Sequence, residues 1–219
     1  MNVQETEVKF YVNDLKRVEE HLRTLGARLI QPRVHETNLR FDLPDGSLRT
    51  AGQVLRLRMD TQAHLTYKGP SERLDGVLSR AEYETQVENF EAAQNILRAL
   101  GYVVSATYEK YRTTYEWEGL HIMLDELPYG DFVEIEGPNV ERLRTASQTL
   151  GLDFEAAIPA SYLALFEGLC QKRNLNPTRL TFEAVEKGSI SAQDLCTPFI
   201  EAVRPADEQP AGKTYGSGQ

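Results

Sequence analysis

Charged side chains stand at every second position in several short segments of this chain, with acids beside bases. The first such segment, residues 5–9, reads ETEVK and places Glu5, Glu7 and Lys9 two residues apart. In a β-strand, residues at this spacing lie on one face of the sheet. Carboxylates are the hard oxygen ligands that divalent cations prefer, and lysine or arginine side chains neutralise phosphate oxygens. A face of this kind can therefore bind a phosphorylated anion together with a metal ion.

The alternation recurs later in the chain and supplies a basic and an acidic set of side chains. The basic residues are Arg56, Arg58, Lys68, Lys110 and Arg112, and the acidic residues are Glu82, Glu84, Asp125, Glu134 and Glu136. One such strand by itself is typical of an antiparallel sheet with one solvated face. Solvated faces also use Ser, Thr, Gln and Asn freely, whereas these strands repeat Glu-x-Glu and basic-x-basic units. Together they favour a shared interior in which acids and bases meet.

The elements that must position these side chains are mostly strands. Period-two alternation predicts strands over residues 3–12, 35–42, 54–59, 64–68, 79–87, 105–117, 120–124 and 132–136. Amphipathic helices are predicted at residues 15–25, 90–100, 139–150 and 158–172. Hairpin-length connections favour an antiparallel sheet in an α+β, mainly β fold. The helices need an apolar surface, so we expect them to pack outside a curved sheet whose charged face turns inward, as in a closed barrel.

Composition narrows the classes of partner. The net charge of −9 argues against a general nucleic-acid binder, because affinity for a phosphate backbone needs a basic surface. Apolar runs are short, so we expect no membrane-spanning segment. The first ten residues are too acidic and polar for a targeting signal, and two cysteines cannot form a disulfide framework. We expect a cytoplasmic protein.

The ordered set of charged residues resembles the CYTH superfamily, also called triphosphate tunnel metalloenzymes. Residues 5–9 match its ExExK signature, and the basic and acidic residues named above follow in the family's order over residues 1–172. The resemblance implies a closed eight-stranded antiparallel β-barrel that forms a tunnel, and also a homodimer. The segments TYKGP at 66–70 and SRAEYE at 79–84 are most similar to the class IV adenylyl cyclase-like branch. The loop at 125–132 departs from that branch, with Tyr129 in place of its usual Leu.

The resemblance also implies roles for these residues, with Mg²⁺ or Mn²⁺ as the cofactor. The metal carboxylates would be Glu5, Glu7, Asp125, Glu134 and Glu136, although Asp125 could instead orient a base. The residues that bind the phosphates would be Lys9, Arg56, Arg58, Lys68, Lys110 and Arg112, with Glu82 and Glu84 holding them in place. Lys9 and Lys110 are the expected catalytic residues, Lys9 to position or deprotonate the nucleophile. Simple ion pairing among these side chains is the structural alternative.

Three functions follow from this pattern. The first is a metal-dependent enzyme acting on a triphosphate, either a cyclase that converts ATP to cyclic AMP and pyrophosphate or a hydrolase of tripolyphosphate or thiamine triphosphate. The second is a non-catalytic module that binds polyphosphate, and the third is a structural domain with a charged sheet. Residues 173–203 are predicted to be a helical C-terminal extension, with the helix over 181–203. Residues 204–219, rich in Pro, Gly and polar side chains, are predicted to be a disordered tail.

Overall fold

The computed structural model describes residues 3–70, 72–74, 77–185, 190 and 194–195. The strands are β1 (Val3–Val12), β2 (Arg28–Asp42), β3 (Val54–Met59), β4 (Ala63–Lys68), β5 (Glu72–Leu74), β6 (Val77–Val87), β7 (Val103–Trp117), β8 (Leu120–Leu127), β9 (Gly130–Gly137) and β10 (Arg179–Leu180). The helices are α1 (Leu15–Thr24), α2 (Ser47–Thr50), α3 (Phe90–Ala99), α4 (Val140–Thr149) and α5 (Tyr162–Arg173).

One sheet contains all of these strands, in the order β1-β9-β8-β7-β2-β3-β4-β6-β5, with β10 added beside β7. Every pairing except that of β10 is antiparallel. β1 pairs with β9 and also with β6, at the far end of this order, so the sheet curves back towards its first strand. The prediction of a mainly β, antiparallel fold with helices is confirmed. Complete closure of the sheet stays a prediction.

Alternation along the strands separates an apolar face from a charged face. In β1, Val8, Phe10 and Val12 are buried in a core that also contains Val18 and Leu22 of α1. Leu143 of α4 belongs to the same core, and Leu97 of α3 packs with Phe41 and Leu57 on another part of the sheet. α1, α3 and α4 therefore cover the apolar face, and the residues between the apolar ones point to the other side.

α5 is the exception to the expectation that the helices pack outside. Its Phe166 and Leu169 form a core with Tyr11, Tyr108 and Leu127. Those three strand residues share the face of Lys9, Lys110 and Asp125, since each lies two residues from one of them. α5 therefore covers one end of the charged face. The sequence predicts that α5 has an apolar face. It does not predict which strand residues that face packs against, because they are distant in the sequence.

Two boundaries differ most from the sequence predictions. β2 begins at Arg28 instead of residue 35, and passes Pro32 through two register shifts, between Leu29 and Gln31 and between Gln31 and Val34. The predicted helix over 181–203 does not begin at Thr181: after α5, Asn174 adopts a left-handed conformation with φ 54°, and residues 181–185 form turns after β10. Most of residues 186–203 and all of the predicted tail, 204–219, lie outside the described residues. Among the residues described, no helix has the length and apolar character needed to span a membrane.

Candidate active site

A cavity of about 690 Å³ opens on the charged face of the sheet. The predicted bases that line it are Lys9, Arg56, Arg58, Lys68, Lys110 and Arg112. The predicted acids that line it are Glu7, Glu82, Glu84, Glu134 and Glu136. Two predicted residues do not appear in the lining. Glu5 is the register partner of Arg80, but its side chain is outside the described part of the chain, and Asp125 lies beneath the cavity with 0% exposure.

Asp125 holds two of the bases from below. Its carboxylate accepts two hydrogen bonds from Arg112, at 2.5 and 2.6 Å, and one from Lys110 at 3.1 Å. The Tyr162 hydroxyl of α5 donates a further one at 2.7 Å. Burial, and then the negative charges of Asp125 and Glu134, raise the pKa of Tyr162, so its phenol keeps the proton that it donates. These contacts occupy both carboxylate oxygens, which favours the role of orienting bases over that of ligating a metal.

Glu134 sits between Lys9 and Arg112. The distance to Lys9 Nζ is 3.2 Å and that to Arg112 Nη2 is 2.5 Å. Burial alone would raise the pKa of Glu134, but the charges of Lys9, Arg112 and Lys110 outweigh it and hold that pKa well below its usual value. For Lys9, burial lowers the pKa, but Glu134 and Glu7 raise it by more. Lys9 is therefore an ammonium at neutral pH, which suits the positioning of an anion better than proton abstraction.

Glu36 of β2 is a buried acid that the sequence analysis missed. Its side chain lies 3.6 Å from Lys110, and the residue is 2% exposed. Burial would raise the pKa of Glu36, but Lys110, Arg112, Arg58 and Arg56 lower it to about 2. Period-two spacing could have found it, because Glu36, Asn38 and Arg40 alternate along β2 in the same way as the residues of β1.

The opposite side of the cavity carries ion pairs whose glutamates are more exposed to solvent. Arg56 and Arg58 lie 3.5 and 3.3 Å from Glu84, and the Thr66 hydroxyl donates to the same carboxylate at 2.7 Å. Lys68 is 2.9 Å from Glu82. Burial would raise the pKa of Glu84, but Arg58, the Thr66 hydrogen bond and Arg56 lower it overall. These contacts agree with the expectation that Glu82 and Glu84 hold the bases in place.

Three further arginines and a tyrosine join the predicted set. Arg40, Arg49, Arg80 and Tyr108 all line the cavity. Burial lowers the pKa of Arg40, and its neighbours Arg56 and Arg80 lower it further. Within the described residues, the Nε atoms of Arg40 and Arg56 are buried and have no hydrogen-bond partner. Buried guanidinium groups with unused donors, in a cluster of like charge, fit an anionic ligand.

A metal ion fits only part of the predicted carboxylate set. Glu7 and Glu136 are direct partners across β1 and β9, and both line the cavity. Lys9 Nζ lies 4.0 Å from the Glu7 carboxylate, so this acidic pair already faces one cation of the protein. The described residues contain no cluster of three or more His, Cys, Asp or Glu side chains able to hold a metal. The pair instead suits an ion such as Mg²⁺, which takes one or two carboxylates and completes its shell with water and phosphate.

Comparisons with known proteins identify the domain family. The family model of the CYTH domain matches residues 3–147. A Methanocaldococcus jannaschii protein provisionally named adenylate cyclase is 30% identical over 135 residues, which are 60% of this chain and 75% of that protein.

Solved structures share the fold. A Pyrococcus horikoshii protein has a TM-score of 0.64 and 26% identity, covering 77% of this chain and 99% of that one. A provisionally named adenylate cyclase from Vibrio parahaemolyticus has a TM-score of 0.67 and 23% identity, covering 74% and 97% of the two chains. A provisionally named adenylyl cyclase from Hippeastrum, described as having a dominant triphosphatase activity, has a TM-score of 0.58 and 21% identity, covering 74% and 95%.

Proposed function

Because the chain belongs to the CYTH domain family, as its alternating charges predict, we propose that it breaks a phosphorus–oxygen bond of a triphosphate bound in this cavity. One observation carries the proposal. Nine lysine and arginine side chains line the cavity against five glutamates, and with Asp125 and Glu36 beneath it the cations still outnumber the acids, in a chain whose net charge is −9. Such a local excess inverts the sign of the electric field and attracts a polyanion.

A closed eight-stranded barrel is part of the proposal. The strands β1, β9, β8, β7, β2, β3, β4 and β6 form a path whose two ends meet in the antiparallel pairing of Val3–Glu7 with residues 78–82. Closure would remove the strand edges and surround the cavity with charged side chains. That register supports closure.

Binding of the phosphates would rest on the arginines and lysines. Arg56, Arg58, Lys68 and Arg112 would contact the oxygens that do not bridge phosphorus atoms, since guanidinium forks and ammonium groups match phosphate geometry. Lys9 and Lys110, the expected catalytic residues, would stabilise negative charge that grows during displacement. Glu7 and Glu136 would hold a Mg²⁺ or Mn²⁺ ion. When bound, the ion would offset phosphate charge as a Lewis acid.

Cyclisation is the first candidate reaction. The ribose 3′ oxygen would attack the α-phosphorus of ATP, and pyrophosphate would leave. The relative provisionally named adenylate cyclase supports this reaction, because the matched region covers three quarters of it.

Hydrolysis of tripolyphosphate or thiamine triphosphate is the second candidate, with water attacking the terminal phosphorus. Residues 125–132 depart from the pattern of the cyclase-like branch, which is why this second reaction is retained. There Tyr129 donates a hydrogen bond to the Tyr162 carbonyl at 2.8 Å, a contact that the Leu typical of the cyclase-like branch could not make.

One incubation panel tests the proposal. ATP, thiamine triphosphate and tripolyphosphate are each incubated with Mg²⁺ or Mn²⁺, and cyclic AMP, pyrophosphate and orthophosphate are quantified. Cyclic AMP with pyrophosphate supports cyclisation, and orthophosphate supports hydrolysis. The absence of every product, combined with measurable triphosphate binding by calorimetry, would point to the non-catalytic module. The absence of both products and binding would leave only the structural domain.

A further inference from the structure

Tyr108 of β7 is a buried cavity residue with no role among the phosphate-binding cations. It lies on the inward face of the strand, two residues before Lys110, and it lines the cavity with 7% of its surface exposed. Its ring belongs to the hydrophobic core that contains Phe166 of α5 and Leu180 of β10. Leu180 is also its direct register partner. Apolar packing therefore holds the ring, and the hydroxyl is the group that it offers to the cavity.

Cationic side chains surround the Tyr108 hydroxyl. Burial would raise the pKa of this phenol, but the charges of Arg56, Lys110 and Arg40 lower it overall, and a hydrogen bond with Arg56 adds to the effect. These cations come from β3, β7 and β2. The acid on the same part of β2 is Glu36, which lies 3.6 Å from Lys110. A phenolate at this position would therefore have positive charges beside it.

The same core contains three further tyrosines, Tyr11, Tyr129 and Tyr162. Burial raises the pKa of each of these phenols, and the nearby carboxylate of Asp131 or Asp125 raises it further. They therefore keep their protons at neutral pH. Of these four tyrosines, Tyr108 alone has surroundings that favour the loss of its proton.

Asn38 of β2 is a buried amide directly opposite Tyr108. The two residues are register partners, which places their Cβ atoms about 5 Å apart. Asn38 is 0% exposed, and among the residues that the structure describes neither its amide nitrogen nor its amide oxygen has a hydrogen-bond partner. Buried amides normally make such bonds. With a donor and an acceptor to offer, this amide can hold a hydroxyl group or a water molecule beside the phenol.

Displacement at phosphorus also needs a group that accepts the proton of the attacking oxygen. Lys9 is an ammonium and has no free electron pair for this purpose. The pKa of Glu134 is held well below its usual value, which makes its carboxylate a weak base. A phenolate is a stronger base than such a carboxylate, because the ordinary pKa is 10 for tyrosine and 4.5 for glutamate.

We propose that Tyr108 is a further catalytic residue, which accepts the proton of the attacking oxygen while Asn38 orients that oxygen. This inference rests on the proposed function, because it assumes that the phosphates lie beside Arg56 and Lys110, which flank the phenol. As the oxygen of water or of a ribose hydroxyl bonds to phosphorus, its proton passes to the phenolate oxygen of Tyr108. The bond from phosphorus to the leaving phosphate oxygen breaks, and its electron pair leaves with that phosphate. The phenol then returns its proton to solvent.

Tyr108→Phe keeps the packed ring and removes the hydroxyl. The test measures kcat and kcat/KM against pH, using whichever of ATP, thiamine triphosphate and tripolyphosphate the wild-type protein converts fastest. We expect kcat/KM of the wild type to rise with pH as Tyr108 loses its proton, with an apparent pKa below 10. Tyr108→Phe should lack this rise and have a kcat ~100-fold lower, with little change in KM. A higher KM with the rise retained would show that Tyr108 only positions Arg56, and would overturn the inference.

Tyr115→Phe is the matched control. Tyr115 is a buried tyrosine of the same strand whose hydroxyl donates to Glu19 of α1 at 2.6 Å, on the other face of the sheet. Its loss should leave kcat and the pH profile unchanged. Asn38→Ala should lower kcat but keep the rise with pH, because the amide orients the attacking oxygen without accepting its proton. An unchanged kcat in that variant would contradict the role of Asn38.

Titration of the phenol can also be followed without turnover. The ultraviolet absorbance of phenolate, compared between the wild type and Tyr108→Phe as the pH is raised, should show one additional group that titrates below pH 10 in the wild type. Titration of that group at or above pH 10 would overturn the inference. Failure of the proposed function is a different result, because the wild type would then convert none of the three probes and both proposals would be wrong.

Discussion

The two sides of the cavity enclose their ion pairs differently. On one side, a buried cluster is formed by Lys9, Lys110, Arg112, Asp125 and Glu134. There Arg112 lies 2.5 Å from two carboxylates, and the Asp125 side chain is 0% exposed. On the other side, an open cluster is formed by Arg56, Arg58, Lys68, Glu82 and Glu84. There Glu84 is 32% exposed and lies 3.3–3.5 Å from its arginines.

This difference indicates that the buried cluster contributes mainly to stability and the open cluster mainly to ligand binding. Breaking a buried pair leaves an uncompensated charge and is strongly unfavourable, whereas the partly exposed carboxylates of Glu82 and Glu84 are screened by water and their ion pairs contribute less. We therefore expect the buried cluster to fix the position of its bases. The open cluster can release its glutamates and transfer its arginines to a phosphate at small cost.

The largest effect is expected from Asp125→Ala. It leaves Arg112 and Lys110 without their shared partner, and should lower the free energy of unfolding by about 3–5 kcal/mol. Urea denaturation measures this. Glu84→Ala in the open cluster is the matched variant, with a smaller expected loss of about 1–2 kcal/mol, because Glu84 is 32% exposed. Equal losses would remove the distinction between the two clusters.

The loss of unfolding free energy at acid pH should depend on Glu36, which lies between the clusters. Its folded-state pKa of about 2 is below the ordinary value of 4.5, so its stabilising contribution is present above pH 4.5 and is lost as the pH falls through 2. The total contribution is on the order of 3 kcal/mol. The gap in unfolding free energy between wild type and Glu36→Gln should therefore narrow over that window. A constant gap for Glu36→Gln would contradict the assignment.

Arg56→Ala should separate binding from stability. Removing one preorganised cation from a phosphate site typically lowers kcat/KM ~100-fold. The midpoint of thermal unfolding should stay within a few degrees, because Arg58 and Thr66 still contact Glu84. Arg28→Ala, which breaks an exposed pair with Glu116 away from the cavity, should leave turnover unchanged. A large loss of stability in Arg56→Ala with normal turnover would reverse the roles given to the clusters.

A smaller effect is expected from Tyr162→Phe. It keeps the ring beneath Lys9 but removes the hydrogen bond to Asp125, which should lower the unfolding free energy by about 1.5 kcal/mol. Tyr129→Phe loses a neutral hydrogen bond to a carbonyl and should lose less, about 1 kcal/mol. Chemical denaturation of both variants compares them. A larger loss in Tyr129→Phe would show that Asp125 is satisfied without its tyrosine.

Local pattern was enough to predict the inner face of most strands. Glu7 and Lys9 in β1, Arg56 and Arg58 in β3, and Glu134 in β9 follow from period-two spacing, because a strand fixes the side to which each residue points. β2 shows the same spacing at Glu36 and Arg40. The sequence analysis predicted a strand there but did not assign its charged residues to the inner face. Their positions were therefore predictable in principle.

Tyr162 and Asp125 needed information that local pattern does not contain. The place of Tyr162 depends on α5 crossing one end of the charged face, which is set by packing with Phe132 and Tyr129 of another hairpin. Asp125 was correctly placed on the inward side of β8, but its choice between metal and base depends on Arg112 and Tyr162. These contacts join residues that are far apart in the sequence, so they are known only once the packing of the strands and α5 is known.

The cavity is formed by two parts that come from separate segments of the sequence, the strands and α5. The strands that carry the cations lie within residues 3–147, while Pro159–Ala164 are appended afterwards. Exchanging or shifting this single helix would reshape one wall and would also remove the contacts that Tyr162 and Glu167 make with the charged residues. Likeness confined to the strands therefore compares the cationic part of the cavity and leaves this wall uncompared.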